Sequence, residues 1–260
     1  MITSPGLKSS SGKQPRESFG SFAPQQNKMP SKRYKKALES VDGKKTYPLK
    51  SAVEVLNKFP KAKFNETVDL AFRLGVDPKQ SDQMVRGTVP LPHGSGKTVR
   101  VLVFAKGGPS ADQARSAGAE FVGFDDMIKK CQEGWTDFDV AIATPEAMGE
   151  VRKLGKVLGP RGLMPNPKTG TVTDDTAKAV KEVKAGRVEF KIDKAGNVHV
   201  PVGKISFNAT QIEENARAVI EAVSKARPNS IKGTFINSCT LSATMSPPVR
   251  VDIREFAEVH

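Results

Sequence analysis

The stretch VRVLVFA at residues 99–105 decides the fold of the middle of this chain, because it is a short and almost continuous apolar run. Strands of this kind are buried on both faces, as in parallel sheets that are covered by helices. Helical and apolar segments then alternate along the chain: SADQARSAGA (110–119), EFVGF (120–124), DDMIKKCQEG (125–134), DVAIAT (139–144) and PEAMGEVRKLG (145–155). This alternation predicts right-handed crossover units and therefore a mostly parallel α/β domain over residues 95–186.

The sequence on either side of this segment has a different periodicity. In ETVDLAFRL (66–74) every second residue is apolar, which predicts a half-buried strand. MVRGTVPLP (84–92) predicts a second strand, and residues 187–202 predict a hairpin around the turn DKAGN (193–197). These strands each have one apolar face that another element must cover.

Helical and strand patterns that can cover these faces lie at both ends of the chain. SAVEVLNKF (51–59) and ATQIEENARAVIEAVSKAR (209–227) have helical spacing, and TFINSCTLSATMSPPVRVDI (234–253) is a long strand region. We therefore expect residues 32–94 and 187–260 to complete one α+β domain, into which the α/β domain is inserted.

Residues 1–31 are rich in Ser, Pro, Gly and Gln and poor in branched apolar side chains. Such a segment cannot bury enough surface to offset the entropy of ordering, so we expect a disordered N-terminal extension. A Ser-rich, basic start is also typical of an organellar transit peptide. The ordinary chain start at Met29 favours a dispensable tail or an upstream start, and all three interpretations remain open.

Net charge indicates the kind of partner. The chain has 41 Lys and Arg against 28 Asp and Glu, a net charge of +13, which favours a polyanion. Residues 95–186 hold 14 basic and 12 acidic side chains, so the remaining segments carry +11 of the total. The two ends of the chain are therefore the expected contact with nucleic acid.

Several other classes of protein are disfavoured by composition. No apolar run approaches the roughly 18 to 20 residues that a membrane helix needs. Cys131 and Cys239 form no CxxC pair, and His93, His199 and His260 are widely spaced. We expect no disulfide framework and no metal site, as is typical of a protein of the reducing cytosol.

GSGKT (94–98) is the strongest enzyme motif, since it resembles part of a phosphate-binding loop. The complete motif needs a glycine where Leu91 stands, and it must open a helix, whereas Thr98 leads into an apolar strand. We interpret it as a flexible connection. No catalytic residue, cofactor or enzymatic activity is expected, although a nucleotide-using enzyme remains the rival hypothesis. The Gly- and Pro-rich loop at 158–172 fits a surface loop and a contact to RNA or to the first domain equally well.

Five long strings resemble the bacterial-type large-subunit ribosomal protein L1 family. They lie at 63–107, 134–148, 158–172, 184–204 and 232–252, within a match from about Ser31 to Asp252 in unbroken order. Their length and order make the resemblance specific.

The resemblance implies a two-domain structural protein. A split α+β sandwich domain from both chain ends would carry an inserted Rossmann-like α/β domain without a nucleotide. The implied partners are large-subunit ribosomal RNA, exit-site tRNA, whose release it would assist at the mobile stalk, and its own messenger RNA, which it would repress. A cytoplasmic location in the large subunit and a monomeric state outside the ribosome are also implied.

Candidate RNA-binding residues follow partly from the family motifs and partly from strand alternation. The motif residues are Lys63, Phe64, Thr67, Thr244, Met245 and Ser246, and the polar strand and loop residues are Lys191, His199, Lys204, Lys232 and Ser238. Alternation alone would make Phe64 a core residue, and Met245 alone would be a gap-filling core residue. Ser246 stands where the family has a glycine, so close approach of RNA to the backbone is in doubt, and its hydroxyl is an alternative RNA contact.

Overall fold

The computed structural model describes residues 31–43, 45–231 and 233–254. Its helices in this part are α1 (Lys32–Glu39), α2 (Leu49–Lys58), α3 (Pro109–Ser116), α4 (Asp125–Gln132), α5 (Met148–Val151), α6 (Gly155–Leu158), α7 (Thr176–Lys184) and α8 (Ala209–Lys225). Its strands are β1 (Thr67–Leu74), β2 (Arg86–Pro90), β3 (Val101–Phe104), β4 (Phe121–Gly123), β5 (Val140–Ala143), β6 (Arg187–Lys191), β7 (Asn197–Lys204), β8 (Ile236–Ala243) and β9 (Val249–Val251). The chain is therefore a mixed α/β protein with several sheets.

Strands from both ends of the chain form one antiparallel sheet in the order β7-β1-β8-β9. Strand β1 has the predicted alternation, with Val68, Leu70, Phe72 and Leu74 all buried. Helices α2 and α8 pack against the apolar face, and a capping box of Asn208 and Gln211 begins α8. One face of the sheet is thus covered by helices, and polar residues lie on the other.

The predicted parallel sheet is present in the middle of the chain, with the order β4-β3-β5. All four residues of β3, Val101–Phe104, are buried, as a strand covered on both faces requires. The helix expected over 145–155 is instead two short helices, α5 and α6, separated by a 3-10 turn at Arg152–Leu154.

Strands β2 and β6 form a two-stranded antiparallel sheet. It lies where residues 95–186, here called the middle segment, join the other parts of the chain. Pro90 pairs with Arg187, and a β-carbon placed on Gly186 would lie 2.4 Å from the Cα of Gly94. The chain therefore leaves for the middle segment and returns from it at almost the same point. Gly186 has φ +103°, which suits glycine at this close crossing.

Asn215 on α8 stabilises the point where the chain enters and leaves the middle segment. Its side-chain amide donates to the carbonyls of Gly94, at 3.0 Å, and Val202, at 2.7 Å, and its oxygen accepts from the backbone N–H of His93 at 3.0 Å. The side chain is fully buried and uses each of these groups, as a buried amide must.

Buried apolar residues form three clusters. One cluster consists of residues between 37 and 91 and between 190 and 251. The other two consist of residues between 101 and 183. Contacts nevertheless group Lys32–His260 as one unit, so the boundaries proposed at 32–94, 95–186 and 187–260 stay a prediction. The expectation of disorder over 1–31 concerns residues outside the described part, Ser31 excepted. No described helix has the length and apolar character to cross a membrane.

Candidate nucleic-acid interface

The outward face of the four-stranded sheet is polar. Its side chains are exposed or half-buried and come from all four strands: Thr67, Asp69, Arg73, Asn197, His199, Lys204, Ser238, Thr240, Ser242 and Arg250. Pairing sets them in rows, so that Arg73 is opposite both Asn197 and Ser238. A polar surface with basic groups is thereby presented to solvent.

At one end of this face, three of the candidate RNA contacts bind one another. The backbone N–H of Thr67 donates to the hydroxyl of Thr244 at 3.1 Å, and the backbone N–H of Thr244 donates to the carbonyl of Thr67 at 3.0 Å. The ammonium of Lys204 donates to the hydroxyl of Thr67 at 2.7 Å. Strands β1, β7 and the turn after β8 are thus joined at a single point.

Glu66, which was not among the predicted residues, stabilises the contact between β1 and the turn after β8. Its side chain is 5% exposed; one oxygen accepts from the N–H of Ala62 at 2.9 Å, and the other accepts from the N–H of Met245 at 3.0 Å. The guanidinium of Arg33 lies 3.6 Å away. A buried carboxylate requires such partners, and in accepting them Glu66 holds the loop before β1 against the turn after β8.

Phe64 and Met245 are both 53% exposed at this end of the sheet. The alternation that places Phe64 in the core is wrong, because β1 begins only at Thr67 and Phe64 lies in a bend before it. The gap-filling interpretation of Met245 is also wrong, since this residue lies in the turn between β8 and β9. Exposed aromatic and thioether side chains beside a basic face can pack on nucleotide bases and sugars.

Ser246 uses its hydroxyl within the turn. The oxygen accepts from the N–H of Ala243 at 2.8 Å and lies 3.2 Å from the carbonyl of Pro247. Its capacity to contact RNA through the hydroxyl is therefore limited to the remaining lone pair. Lys63, in contrast, is exposed and lies before the strand.

The other candidate residues lie farther away. His199 is exposed on β7 opposite Ala71. Lys191 is exposed at the end of β6, and Lys191 and His199 flank the antiparallel bridge between Ile192 and Val198. Ser238 is exposed at the far end of β8, and Lys232 lies outside the described residues. The structure thus brings together Lys63, Phe64, Thr67, Lys204, Thr244, Met245 and Ser246, and leaves Lys191, His199 and Ser238 apart.

Asp69 is the acidic residue in the middle of this face. Partial burial raises the pKa of its carboxyl above the ordinary range, and the charges of His199 and Lys204 offset this only in part.

The GSGKT segment does not form a phosphate-binding loop. The ammonium of Lys97 pairs with Asp139 at 2.6 Å, and the chain continues into β3 rather than into a helix. Loop 158–172 touches the other part of the chain, because the carbonyl of Thr169 accepts from the guanidinium of Arg187 at 2.7 Å. This hydrogen bond supports the interpretation of the loop as a contact to the first domain, and a contact of the loop to RNA stays a prediction.

Among the described residues, no group of three or more His, Cys, Asp or Glu side chains could hold a metal ion. Cys131 and Cys239 are free thiols and both are buried. Burial raises the pKa of the Cys239 thiol to about 12, so its reactive thiolate form is suppressed at neutral pH.

The outward sheet face is basic and lies beside exposed apolar side chains, a combination that is suited to surface contacts with nucleic acid. A family model described as the ribosomal protein L1p/L10e family matches residues 56–247, and the chain belongs to this family. It is accordingly a large-subunit ribosomal protein that binds ribosomal RNA, and a cytoplasmic component of that subunit. The family is structural rather than enzymatic.

Proposed function

We propose that this protein, acting without enzymatic activity, binds a folded junction of large-subunit ribosomal RNA through the end of its sheet and so forms the mobile stalk near the tRNA exit site. The observation that carries the proposal is the joining of Thr67, Thr244 and Lys204 beneath exposed Phe64 and Met245. These residues come from three distant parts of the sequence, yet they form one surface.

The chemistry of this surface suits backbone and sugar recognition. Lys63 and Lys204 supply cations for phosphates. The Thr244 hydroxyl accepts from the Thr67 N–H and lies 3.3 Å from the Thr67 carbonyl, so its remaining lone pair is the group it supplies for a 2′-hydroxyl. Phe64 and Met245 supply apolar area for a sugar or an unstacked base. Such contacts read the shape of an RNA junction rather than a base sequence.

The RNA site belongs to a discontinuous domain of residues 32–94 and 187–260, with 95–186 inserted as a separate α/β domain. The separate apolar clusters support this division, as does the approach of Gly94 to Gly186. An insertion at one point leaves the RNA surface intact while the inserted domain moves, which suits a stalk that follows departing tRNA.

The same surface would act on two further RNAs. At the stalk the protein would assist release of deacylated tRNA from the exit site. As a free monomer it would bind a similar fold in its own messenger RNA and repress translation, since ribosomal RNA and messenger would compete for one site. Direct competition between the two RNAs in filter binding tests this part of the proposal, and independent binding would contradict it.

Met245→Asp and Thr244→Val test the main site. Met245→Asp should weaken binding of the ribosomal RNA junction and leave thermal unfolding nearly unchanged, because the Met245 side chain is 53% exposed. Thr244→Val should also weaken binding, and it should lower stability by up to roughly 1 to 3 kcal/mol, because the Thr67 N–H loses the Thr244 hydroxyl as its acceptor. Met84→Asp is the matched control, since Met84 is 45% exposed outside this site. Early melting with normal binding of the folded fraction would contradict the proposed interface.

The rival functions have their own measurements. Salt titration of junction binding should give a log–log slope of about −3 to −5 if on the order of five phosphates are neutralised. Micromolar binding of ATP or GTP in equilibrium dialysis would instead support a nucleotide-using enzyme. Equal competition by unrelated RNA would indicate that the protein binds polyanions non-specifically.

A further inference from the structure

A large cleft lies at the opposite end of the four-stranded sheet from Thr67. Its volume is about 920 Å³, and it is lined by residues of β1, β8 and β9 and of the segments after α8 and after β9. Four arginines line this cleft, which we call the arginine cleft: Arg73, Arg227, Arg250 and Arg254. The cleft opens beside the same outward face that carries the proposed RNA site.

The cleft is strongly basic. Asp252 is the carboxylate among its lining residues, against four guanidinium groups. Within the described part of the chain, the side chains of Arg73, Arg250 and Arg254 make no ion pair. Arginine stays charged at any physiological pH, so this excess of positive charge is permanent.

Arg227 has a structural part in the cleft. Its guanidinium donates to the carbonyls of Ile231, at 3.3 Å, and Gly233, at 3.1 Å, and so holds the loop that leads to β8. The other three arginines are exposed and have their donors available. Clustered guanidinium groups repel one another, and an anion with several oxygens relieves that repulsion while accepting paired N–H donors.

The cleft also explains the position of Ser238. This candidate contact lies far from the Thr67–Thr244 site but lines the arginine cleft, as do Asn237 and Thr234. These neutral donors suit sugar and phosphate oxygens. Among the described lining residues Phe235 is the aromatic one, and at 6% exposure its ring offers little surface for stacking a base.

We propose that the arginine cleft is a second phosphate-binding site for the same RNA, and this inference rests on the proposed function. Thr67 and Arg73 are six residues apart on β1, a span of about 20 Å. RNA held at the Thr67–Thr244 site therefore runs along β1 across the polar face, and its backbone enters the cleft. Charge complementarity, without an aromatic stacking partner, makes the contact one to phosphates rather than to bases.

The test uses the full-length triple variant R73Q/R250Q/R254Q, which leaves the structural Arg227 in place. Binding of the ribosomal RNA junction is measured by filter binding across a salt series. The log–log salt slope should fall in magnitude by about 2 to 3, since each lost phosphate contact contributes about 0.7 to 0.9. The preference for the junction over unrelated RNA should be unchanged, because phosphate contacts carry no sequence information.

A matched control removes the same charge elsewhere. R115Q/R152Q/K129Q also removes three positive charges, all from exposed positions of the middle segment. Its salt slope should stay close to that of the unmodified protein. An equal loss in this control would overturn the cleft as a specific site.

Folding of the triple variant is checked by thermal unfolding. If it unfolds, Arg250→Gln alone, at an exposed position of β9, should still lower the slope by about 1. An unchanged slope in folded variants overturns the cleft while leaving the proposed function intact. Absence of any preference for the junction in the unmodified protein would overturn the proposed function itself.

Discussion

Basic residues in the middle segment and on the outward sheet face differ in what surrounds them. Five of the 14 basic residues in the middle segment are in ion pairs: Lys97 and Arg100 with Asp139, Arg115 with Asp112, Lys153 with Glu150, and Lys184 with Glu120. On the sheet face, Arg73 and Arg250 have no ion-pair partner among the described residues. These two arginines therefore have their charge available for phosphates, whereas the five paired residues of the middle segment already face a carboxylate.

We expect the largest effect when the two regions are expressed separately, because this tests directly which of them binds RNA. We expect a chain in which a short Gly/Ser linker replaces 95–186 to bind the RNA junction within about tenfold of the full chain, equivalent to roughly 1.4 kcal/mol. The isolated middle segment should bind at least about a thousandfold more weakly, at the level of non-specific contacts. The close approach of Gly94 to Gly186 makes a short linker sufficient. Tight binding by the isolated segment in filter binding would refute the assignment.

The crossing between the regions should be the position most sensitive to a single methyl group. Gly186→Ala places a side chain at φ +103° and within 2.4 Å of the Cα of Gly94, so we expect a loss of about 3 kcal/mol in the free energy of unfolding. Gly149→Ala is the control, because a β-carbon there meets nothing within 4 Å and α5 should gain about 0.5 to 1 kcal/mol. Denaturant titration measures both, and equal effects would contradict the close crossing.

Glu66→Gln tests whether a buried carboxylate supports the sheet end. The carboxylate accepts from two backbone N–H groups, those of Ala62 and Met245, and an amide has one acceptor oxygen. We expect a loss of about 2 kcal/mol in stability, because one buried N–H is left unpaired, and weaker RNA binding as the turn shifts. Glu54→Gln, at an exposed site on α2, should change neither quantity. Unchanged thermal unfolding of Glu66→Gln would argue against this role.

The smallest expected effects concern pH and have opposite signs in the two regions. The Lys97 hydrogen bond holds the pKa of Asp139 below its usual value of 3.8, so its contribution to stability is present above that pH and is lost as pH falls through the lowered pKa. Burial raises the pKa of Asp69, so its contribution is present below pH 3.8 and is lost as pH rises through the raised pKa.

Asparagine variants distinguish these two cases. At pH 7, Asp139→Asn should lower stability and Asp69→Asn should raise it, each by no more than about 1 kcal/mol. The Asp139→Asn difference should vanish in strong acid, where the native carboxyl is also neutral. Urea titrations at a series of pH values measure the free energy of unfolding of both variants. Changes of the same sign in both variants would contradict the predicted difference between Asp139 and Asp69.

Local periodicity explains why much of the fold was predicted. The alternation of β1 and the apolar run of β3 are properties of a few neighbouring residues, and both strands form as expected. Helix α7 was missed, although the Asp175 side chain caps it by accepting from the N–H of Lys178 and its apolar residues have helical spacing. The helix expected over 145–155 was too long, since the chain breaks there into two short helices.

The functional surface was less accessible to sequence reasoning, because it depends on which strands become neighbours. Lys63, Phe64 and Thr67 were found together as one motif. The burial of Glu66 was missed, since it arises from a turn 179 residues away. The arginine cleft was missed for the same reason: Arg73 and Arg250 meet only because β1, β8 and β9 are adjacent.

The central position of β1 has a consequence for synthesis on the ribosome. Its partners are made much later, since Lys204 and Thr244 follow Thr67 by 137 and 177 residues. Both edges of β1 therefore stay open while the middle segment, whose sheet pairs only within itself, emerges and folds. Open strand edges invite pairing with other chains. The period between completion of the middle segment and emergence of β8 is thus the time at which β1 of a nascent chain is most open to pairing with other chains.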